Sequence, residues 1–242
     1  MSDANATTPR VFIARHGETE WTISGQCTGN TADIPLTARG EDQVRATAAL
    51  LVGAGKLIDP ARLARVFCSP RQRAVRTMEL LLGEEDAAAA RASASKGDRT
   101  EHASRVVLTE DIREWDYGAY EGLRPGEIAE RRRSQGKGKW DIWVDGCEDG
   151  ERPDQVEARL DRLIAEIKAI QAPVIHGGPA PDVLIVAHGH ILRAFVKRWL
   201  RFPMNFAFAQ MMEPGAIGIL SYAHHNIEEP ALLVGMGFPA SS

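Results

Sequence analysis

Three short apolar runs constrain the fold more than any other feature of this sequence. They are RVFIAR (residues 10–15), ARVFCS (64–69) and DVLIVA (182–187), and each is typical of a strand buried on both faces. Helical patterns separate them, the clearest being an apolar stripe in residues 153–171. Continuous apolar strands that alternate with helices indicate a parallel sheet covered on both sides. We therefore predict an α/β fold, a single domain with a mostly parallel sheet flanked by helices on both faces.

The same patterns give the limits of that domain. Residues 1–9 contain no apolar segment and are expected to form a flexible N-terminus, followed by one domain over residues 10–237. Residues 84–105 are rich in alanine and charge, and few of their side chains suit a buried face, so we expect a mobile surface insertion there. We expect residues 110–150 to form an excursion above the sheet and residues 216–226 to form a further strand.

Composition argues against several classes of protein. The formal net charge of −4 disfavours a nucleic-acid partner, because such proteins normally carry a basic excess. No apolar run approaches the roughly 20 residues that span a bilayer, and the N-terminus lacks the apolar core of a secretory signal. The 3 cysteines are widely spaced, which is typical of neither a disulfide framework nor a zinc site. We expect a cytoplasmic protein with no membrane partner, and no pattern specifies its oligomeric state.

Polar side chains follow the ends of the three predicted strands. Arg15 and His16 end the first, Arg73 begins the helix after the second, and His188 ends the third. The carboxyl ends of parallel strands meet at one edge of a sheet, where ligands bind, so we expect these groups to converge. Cations gathered in this way repel one another, and a bound phosphoryl dianion offsets that repulsion. The pattern therefore predicts a phosphate pocket.

A histidine in such a pocket adds chemistry that arginine lacks. Neutral imidazole has a nitrogen lone pair near pH 7, and His16 is positioned to attack phosphorus and form a phosphohistidine. We expect Gly17 to let the backbone fold closely behind the ring, so that a main-chain carbonyl holds Nδ1–H and leaves Nε2 free. The leaving oxygen also needs a proton donor, and we select Glu114, which follows a short strand.

Two other clusters allow more than one interpretation. His188 and His190 resemble a metal pair, but no Cys or carboxylate ligand lies nearby in the sequence, so we predict no metal and no cofactor. A basic run is typical of a solvated surface, and contact with substrate is the alternative. It comprises Arg131, Arg132, Arg133, Lys137 and Lys139.

Four segments, in order, resemble the signature segments of the histidine phosphatase, or phosphoglycerate mutase-like, superfamily. They are RHGET (15–19), SPRQRAVRT (69–77), REWDYGAYEG (113–122) and AHGH (187–190). The resemblance implies that His16 is the phosphorylated nucleophile and that Glu114 is the general acid and base. It implies a phosphate pocket completed by Arg15, Arg73 and His188, with arginine and protonated histidine supplying positive charge. Many relatives have asparagine where this chain has Thr22; the Thr22 hydroxyl or Gln26 is the expected substitute.

Within that superfamily, the chain resembles the fungal sedoheptulose-1,7-bisphosphatases. WDIWVDGCEDGE and SYAHHN carry this resemblance beside the segments above. It implies a metal-independent hydrolase that takes the C1 phosphate from a sugar bisphosphate, giving sedoheptulose 7-phosphate, in carbohydrate metabolism linked to ribose production. The segment between residues 200 and 216 is more compact than is usual in that branch. The implied substrate contacts are Gln26, Thr28, Trp115, Tyr117, Arg193 and His224.

Two alternatives remain beside this interpretation. A phosphoglycerate mutase, or a broad-specificity phosphatase of the same superfamily, would use the same histidine on another phosphorylated substrate. A non-catalytic protein that binds phosphorylated ligands would keep the pocket without turnover.

Overall fold

A six-stranded sheet forms the centre of the molecule, as described by a computed structural model for residues 7–31, 33–83 and 105–235. The strand order is β3-β2-β4-β1-β5-β6. The strands are β1 (Val11–Arg15), β2 (Leu63–Cys68), β3 (Val106–Leu108), β4 (Asp182–Ala187), β5 (Ile217–Tyr222) and β6 (Pro230–Leu232). The predicted mobile insertion falls almost entirely on residues 84–104, which lie outside the described part of the chain, as do residues 1–6 and 236–242.

Parallel pairing dominates this sheet and confirms the predicted fold class. β3, β2, β4 and β1 are parallel neighbours, whereas β5 is antiparallel to β1 and β6 is antiparallel to β5. Arg15 of β1 lies opposite Ala187 of β4. The residues that follow them, His16 and His188, therefore leave the sheet side by side.

Helices cover both faces of the sheet. Seven α-helices lie in the described residues: α1 (Glu20–Ser24), α2 (Ala38–Leu51), α3 (Gln72–Leu82), α4 (Pro125–Ser134), α5 (Ile142–Asp145), α6 (Pro153–Gln171) and α7 (Gly189–Trp199). None of them is long and apolar enough to cross a membrane.

Each central strand buries alternate side chains in two different cores. Phe12 of β1 packs in a cluster with Val44 of α2 and Met78 of α3. Its neighbour Ile13 packs in the other cluster, with Leu160 of α6 and Phe195 of α7. Successive strand side chains point to opposite faces, so a strand covered on both faces needs apolar residues at every position. This is the physical reason for the uninterrupted apolar runs.

The C-terminal end of β5 differs from the predicted strand. The strand ends at Tyr222, and Ala223–His225 forms a short 3₁₀ turn in which His224 and His225 both have positive φ. Because β5 is antiparallel to β1, this turn lies at the edge of the sheet opposite His16. The strand predicted over residues 216–226 is therefore shorter at its C-terminal end than expected, and it stops before His224 and His225.

Candidate active site

The carboxyl edge of the sheet brings together the five residues predicted to act in catalysis. His16 and His188 follow adjacent strands, and their ring centroids lie 5.1 Å apart. The Nε of Arg73 donates to Nδ1 of His188 at 3.2 Å. The carboxylate of Glu114 accepts from the first turn of α7, which begins directly after His188.

His16 is held as a neutral imidazole with one nitrogen available. Its Nδ1 lies 2.7 Å from the Gly17 carbonyl oxygen, which accepts only if Nδ1 carries the proton. Nε2 then holds the lone pair. Burial, followed by the nearby charges of Arg73 and Arg15, lowers the pKa of His16 to about 3. The ring is therefore unprotonated at neutral pH, as a nucleophile must be.

Gly17 is required by the close approach of α2, not by an unusual backbone angle. A Cβ at this position would lie 2.8 Å from the Gly40 carbonyl oxygen at the start of α2. On its other side, the Gly17 N–H donates to Oγ1 of Thr77 at 3.1 Å. The backbone behind the His16 ring is thus fixed between α2 and α3.

Arg73 is fully buried and holds the loop at residues 28–31. Its Nη1 donates to the Thr31 carbonyl at 2.9 Å, and its Nη2 donates to the carbonyls of Thr28 and Gly29 at 3.2 and 3.3 Å. Burial lowers the pKa of Arg73 to about 10, which leaves the guanidinium charged at neutral pH. Arg73 therefore supplies a fixed positive charge beside the two histidines.

His188 is neutral, which corrects the expectation of a protonated histidine in the pocket. Its Nδ1 accepts from Arg73, so Nε2 carries the proton and donates to Oγ of Ser69 at 2.7 Å. Burial and the Arg73 charge keep the pKa of His188 well below its ordinary value. The positive charge of the pocket is supplied by arginine alone.

Arg15 lies on the other side of the pocket and retains an unused donor. Its Nη1 donates to the Met212 carbonyl at 2.6 Å, while its buried Nε has no hydrogen-bond partner among the described residues. Burial lowers the pKa of Arg15, and the Glu114 charge opposes that shift. A buried N–H without a partner is costly, and an anionic ligand would satisfy it.

Glu114 is fixed by backbone amides. Its Oε1 accepts from the N–H groups of Trp115 and Ile191 at 2.9 and 2.8 Å, and its Oε2 accepts from the N–H of His190 at 3.0 Å. The helix dipole of α7 favours a carboxylate at this end. Glu114 as a whole is only 5% exposed, so its carboxylate is largely shielded from bulk water.

Of the six predicted substrate contacts, Arg193, Thr28 and Tyr117 lie near the pocket residues, whereas Trp115 packs in the core. Arg193 lies one turn into α7, where its charge acts on Arg15, and Thr28 lies on the loop that Arg73 holds. Tyr117 is buried, and its hydroxyl lies 2.6 Å from Nδ1 of His190. Trp115 is fully buried and donates its indole N–H to the Glu151 carbonyl. This position indicates that Trp115 packs in the core and does not contact a sugar.

His224 is wrong as a contact for substrate at this pocket. It lies in the turn after β5, at the opposite edge of the sheet, where it pairs with Glu229 at 2.7 Å. The amide of Gln26 is also occupied: it donates to the Gly122 carbonyl and accepts from Ser24. The Thr22 hydroxyl takes part in the cap of α1 with Thr19. The single donor of Thr22 is therefore committed to the Thr19 carbonyl, whereas the Gln26 amide has given one of its two N–H groups to Gly122.

A cavity of about 450 Å³ opens beside Arg15. Its lining residues are Arg15, Glu18, Thr22, Ile23, Arg39, Gln43, Glu213 and Pro214. This cavity is large enough for part of a small polar ligand next to the phosphate pocket.

Two further polar residues shape the site. Ser69, which the sequence places at the end of the second predicted strand, accepts from His188. Sequence reasoning missed the other residue, Glu121. The Glu121 carboxylate accepts from the N–H groups of Gly29 and Thr31 and from the Thr31 hydroxyl at 2.7 to 3.1 Å. Glu121 lies in the REWDYGAYEG segment, but only the folded chain shows that it organises the loop that Arg73 also holds.

The described residues contain no group of three or more His, Cys, Asp or Glu side chains suited to a metal ion. His188 and His190 have separate hydrogen-bond partners, Ser69 and Tyr117. Four residues of the basic run on and after α4 form surface ion pairs: Arg132 with Asp145, Arg133 with Glu130, and Arg131 and Lys137 with Glu148.

Comparison with known proteins adds independent information. A model of the histidine phosphatase superfamily (branch 1) matches residues 11–232. The chain is 37% identical to sedoheptulose 1,7-bisphosphatase of Saccharomyces cerevisiae, covering 93% of this chain and 92% of that protein. It is 31% identical to a 2,3-bisphosphoglycerate-dependent phosphoglycerate mutase of Caulobacter vibrioides, covering 81% of both. A solved structure from Mycobacterium tuberculosis matches with a TM-score of 0.66 and 32% identity, covering 93% of this chain and 96% of that one.

Proposed function

Because the chain belongs to the histidine phosphatase superfamily, we propose that it hydrolyses phosphate monoesters of sugars through a phosphohistidine at His16. One observation carries the proposal. His16 is a buried neutral imidazole whose Nδ1–H is held by the Gly17 carbonyl. It lies beside His188, which a fully buried Arg73 contacts. Such a site combines a nucleophilic nitrogen with fixed positive charge for the phosphoryl group.

In the first step, Nε2 of His16 attacks phosphorus, and the bond from phosphorus to the sugar oxygen breaks. Arg15 and Arg73 stabilise charge on the phosphoryl oxygens during this in-line transfer. The Glu114 carboxyl donates a proton to the departing oxygen, and a substrate that enters as the monoanion supplies that proton. The products of this step are the dephosphorylated sugar hydroxyl and phosphohistidine.

In the second step, water attacks the phosphohistidine. The Glu114 carboxylate takes a proton from that water, and the phosphorus–nitrogen bond to His16 breaks. Inorganic phosphate leaves, and His16 returns to the neutral form that the Gly17 carbonyl holds. The positive charge in both steps comes from arginine, so the reaction needs no metal.

Sugar bisphosphates are the proposed substrates, with sedoheptulose 1,7-bisphosphate first among them. The similarity to the S. cerevisiae enzyme of that name supports this choice. A second phosphate needs a further cation, and Arg193 lies close enough to Arg15 to lower its pKa. We also propose a cytoplasmic location, because all three cysteines are free thiols, which is typical of a reducing compartment.

A phosphoglycerate mutase is the second candidate, supported by similarity to the C. vibrioides enzyme. It would use the same phosphohistidine but return the phosphoryl group to a substrate hydroxyl. The distinction lies in whether water or a second hydroxyl occupies the position facing the phosphohistidine.

The deciding experiment measures phosphate release from sedoheptulose 1,7-bisphosphate, fructose 1,6-bisphosphate, sugar monophosphates and 3-phosphoglycerate, with mutase activity assayed in parallel. His16→Ala is the test variant, and His225→Ala, at the opposite edge of the sheet, is the matched control. We expect bisphosphates to have the highest kcat/KM. His16→Ala should lose at least about 10³-fold, because removing a nucleophile removes the covalent route, and His225→Ala should behave as wild type.

The phosphorylated intermediate is measured separately by quenching the reaction in alkali, where phosphohistidine survives. Label on the wild-type chain and none on His16→Ala would support the mechanism. Mutase activity without phosphate release would favour the second candidate. Ligand binding without either activity would indicate a non-catalytic protein.

A further inference from the structure

Glu151 and Arg159 form a buried ion pair behind the Glu114 segment. Nε and Nη2 of Arg159 donate to Oε1 and Oε2 of Glu151 at 2.9 and 3.0 Å, which makes a bidentate salt bridge. The Arg159 side chain is only 3% exposed, and the Glu151 side chain is only 8% exposed. Arg159 lies on α6, and Glu151 precedes that helix in the segment WDIWVDGCEDGE.

The remaining donors of Arg159 hold the backbone that carries Glu114. Its Nη1 donates to the carbonyls of Asp111 and Arg113, both at 2.9 Å. Its Nη2 also donates to the carbonyl of Glu114 itself, at 3.4 Å. One guanidinium thus ties three carbonyls of a four-residue stretch to α6.

Glu151 holds the same stretch from the following side. Its Oε2 accepts from the N–H of Asp116 at 2.9 Å, and its Oε1 accepts from Nη2 of Arg113 at 2.9 Å. Its backbone also pairs with Asp116, and its carbonyl accepts the indole N–H of Trp115. The residues on both sides of Glu114 are therefore fixed to this ion pair.

We propose that Glu151 and Arg159 are positioning residues for the Glu114 carboxyl, an inference that rests on the proposed function. The carboxylate itself is held by amides of α7, while its backbone is held by the ion pair on α6. Proton transfer depends steeply on distance, and a displacement of about 1 Å at a reacting group costs roughly 10²-fold in rate. Glu151 and Arg159 do not touch the phosphoryl pocket, so their effect is confined to the proton donor.

A leaving-group comparison tests this role. A sugar alkoxide needs a proton to depart, whereas 4-nitrophenolate departs without one. The kcat/KM for each ester reports the steps up to leaving-group departure and is independent of dephosphorylation. In Glu151→Gln, we expect kcat/KM for fructose 1,6-bisphosphate to fall at least about tenfold. The kcat/KM for 4-nitrophenyl phosphate should change less than about threefold. Glu114→Gln should show the same pattern, more strongly.

Two further variants keep the test decisive. Arg159→Lys keeps the charge opposite Glu151 but loses the planar fork, and it should show the same selective loss. Asp182→Asn is the matched control: it disrupts another buried ion pair, with Arg10 at 2.6 Å, at the amino edge of the sheet. We expect Asp182→Asn to lower the melting temperature and to change both esters equally. Thermal unfolding of every variant shows whether it is folded.

The outcomes separate the two proposals. A wild-type protein that hydrolyses neither fructose 1,6-bisphosphate nor 4-nitrophenyl phosphate would overturn the proposed function. A wild type that hydrolyses both, with equal losses for both esters in the folded Glu151→Gln and Arg159→Lys variants, would overturn the positioning role alone. If Glu151→Gln does not fold, the Arg159→Lys result decides the question.

Discussion

The two histidines that follow β1 and β4 are kept neutral by their surroundings. Burial lowers the pKa of both, and the Arg73 charge adds to the effect. The hydrogen bonds agree with that charge state, because each ring uses one nitrogen as a donor to an oxygen atom, Gly17 O or Ser69 Oγ. A neutral imidazole kept among guanidiniums is costly to protonate, and that cost appears in stability as well as in catalysis.

Stability should therefore fall on the acid side because of His16. Its pKa is about 3 in the folded chain, against an ordinary value of 6.5, so between these values the unfolded chain binds a proton that the folded chain does not. Stability then rises with pH across this window. We expect the free energy of unfolding in urea to depend less on pH in His16→Gln than in wild type, by up to about 1.4 kcal/mol per pH unit.

The carboxylates titrate in both proteins, so their contribution cancels in this comparison. Equal pH dependence of the two proteins would contradict a buried neutral His16.

At the scale of secondary-structure elements, direction decides which residues meet. β1 and β4 are parallel and bring their last residues to one edge, whereas β5 is antiparallel and carries the histidines of the SYAHHN segment to the other. The histidine-containing segments AHGH and SYAHHN, which look alike in the sequence, therefore lie at opposite edges of the sheet.

Two substitutions test the consequence of strand direction. His224→Ala should leave kcat/KM for sedoheptulose 1,7-bisphosphate within about twofold of wild type, because removing an exposed side chain from the far edge has little effect. Arg193→Ala should raise KM for the bisphosphate about 10- to 100-fold, the range expected for a lost hydrogen bond to a charged group. Steady-state kinetics measure both, and a raised KM in His224→Ala would contradict our placement of this residue.

The contact between α2 and the backbone behind His16 gives a second prediction. A Cβ on Gly40 would overlap the Glu18 carbonyl oxygen, so Gly40→Ala should lower the free energy of unfolding by about 1–3 kcal/mol despite better helix propensity. A Cβ on Gly126 of α4 would have no described atom within 4 Å outside its own helical turn. Gly126→Ala should therefore stabilise the protein, by about 0.5–1 kcal/mol. Urea denaturation measures both, and a stabilising Gly40→Ala would show that α2 shifts readily.

The sequence predicted most of the sheet and the residues that converge at its edge. Apolar runs report strands buried on both faces, and parallel strands share a carboxyl edge, so the meeting of His16, Arg73 and His188 follows from the pattern. Strand direction is not encoded in an apolar run, which is why His224 was misplaced. The contacts of Glu151 and Arg159 join backbone carbonyls to side chains up to 48 residues away, and no local pattern reports such contacts.

Across the whole molecule, cations and carboxylates are distributed so that the site carries its own positive charge. Arg15 and Arg73 lie near His16, while Arg131, Arg132 and Lys137 of the basic run are paired with surface carboxylates. Fixed guanidiniums need no reorganisation when a phosphoryl group enters. In the proposed mechanism, side chains provide the charge that other phosphoryl-transfer enzymes obtain from a divalent ion.

Treatment with EDTA should accordingly leave phosphatase activity within about twofold of the untreated enzyme, because arginine stabilises the transition state. The measurement is phosphate release from fructose 1,6-bisphosphate before and after chelation and dialysis, with a magnesium-dependent phosphatase treated in parallel as the control. Complete loss of activity that added Mg²⁺ restores would contradict the arginine-based mechanism.

The crossover from α3 to β3 has a practical consequence for handling the protein. α3 starts beside the pocket and runs away from it to Gly83, and Arg105 meets the sheet next to Pro60, before β2 begins. A fluorescent reporter or affinity handle attached at this end of the sheet would therefore project from the side facing away from substrate. Immobilised through such a handle, the molecule would present its reactive face to solution in a uniform orientation.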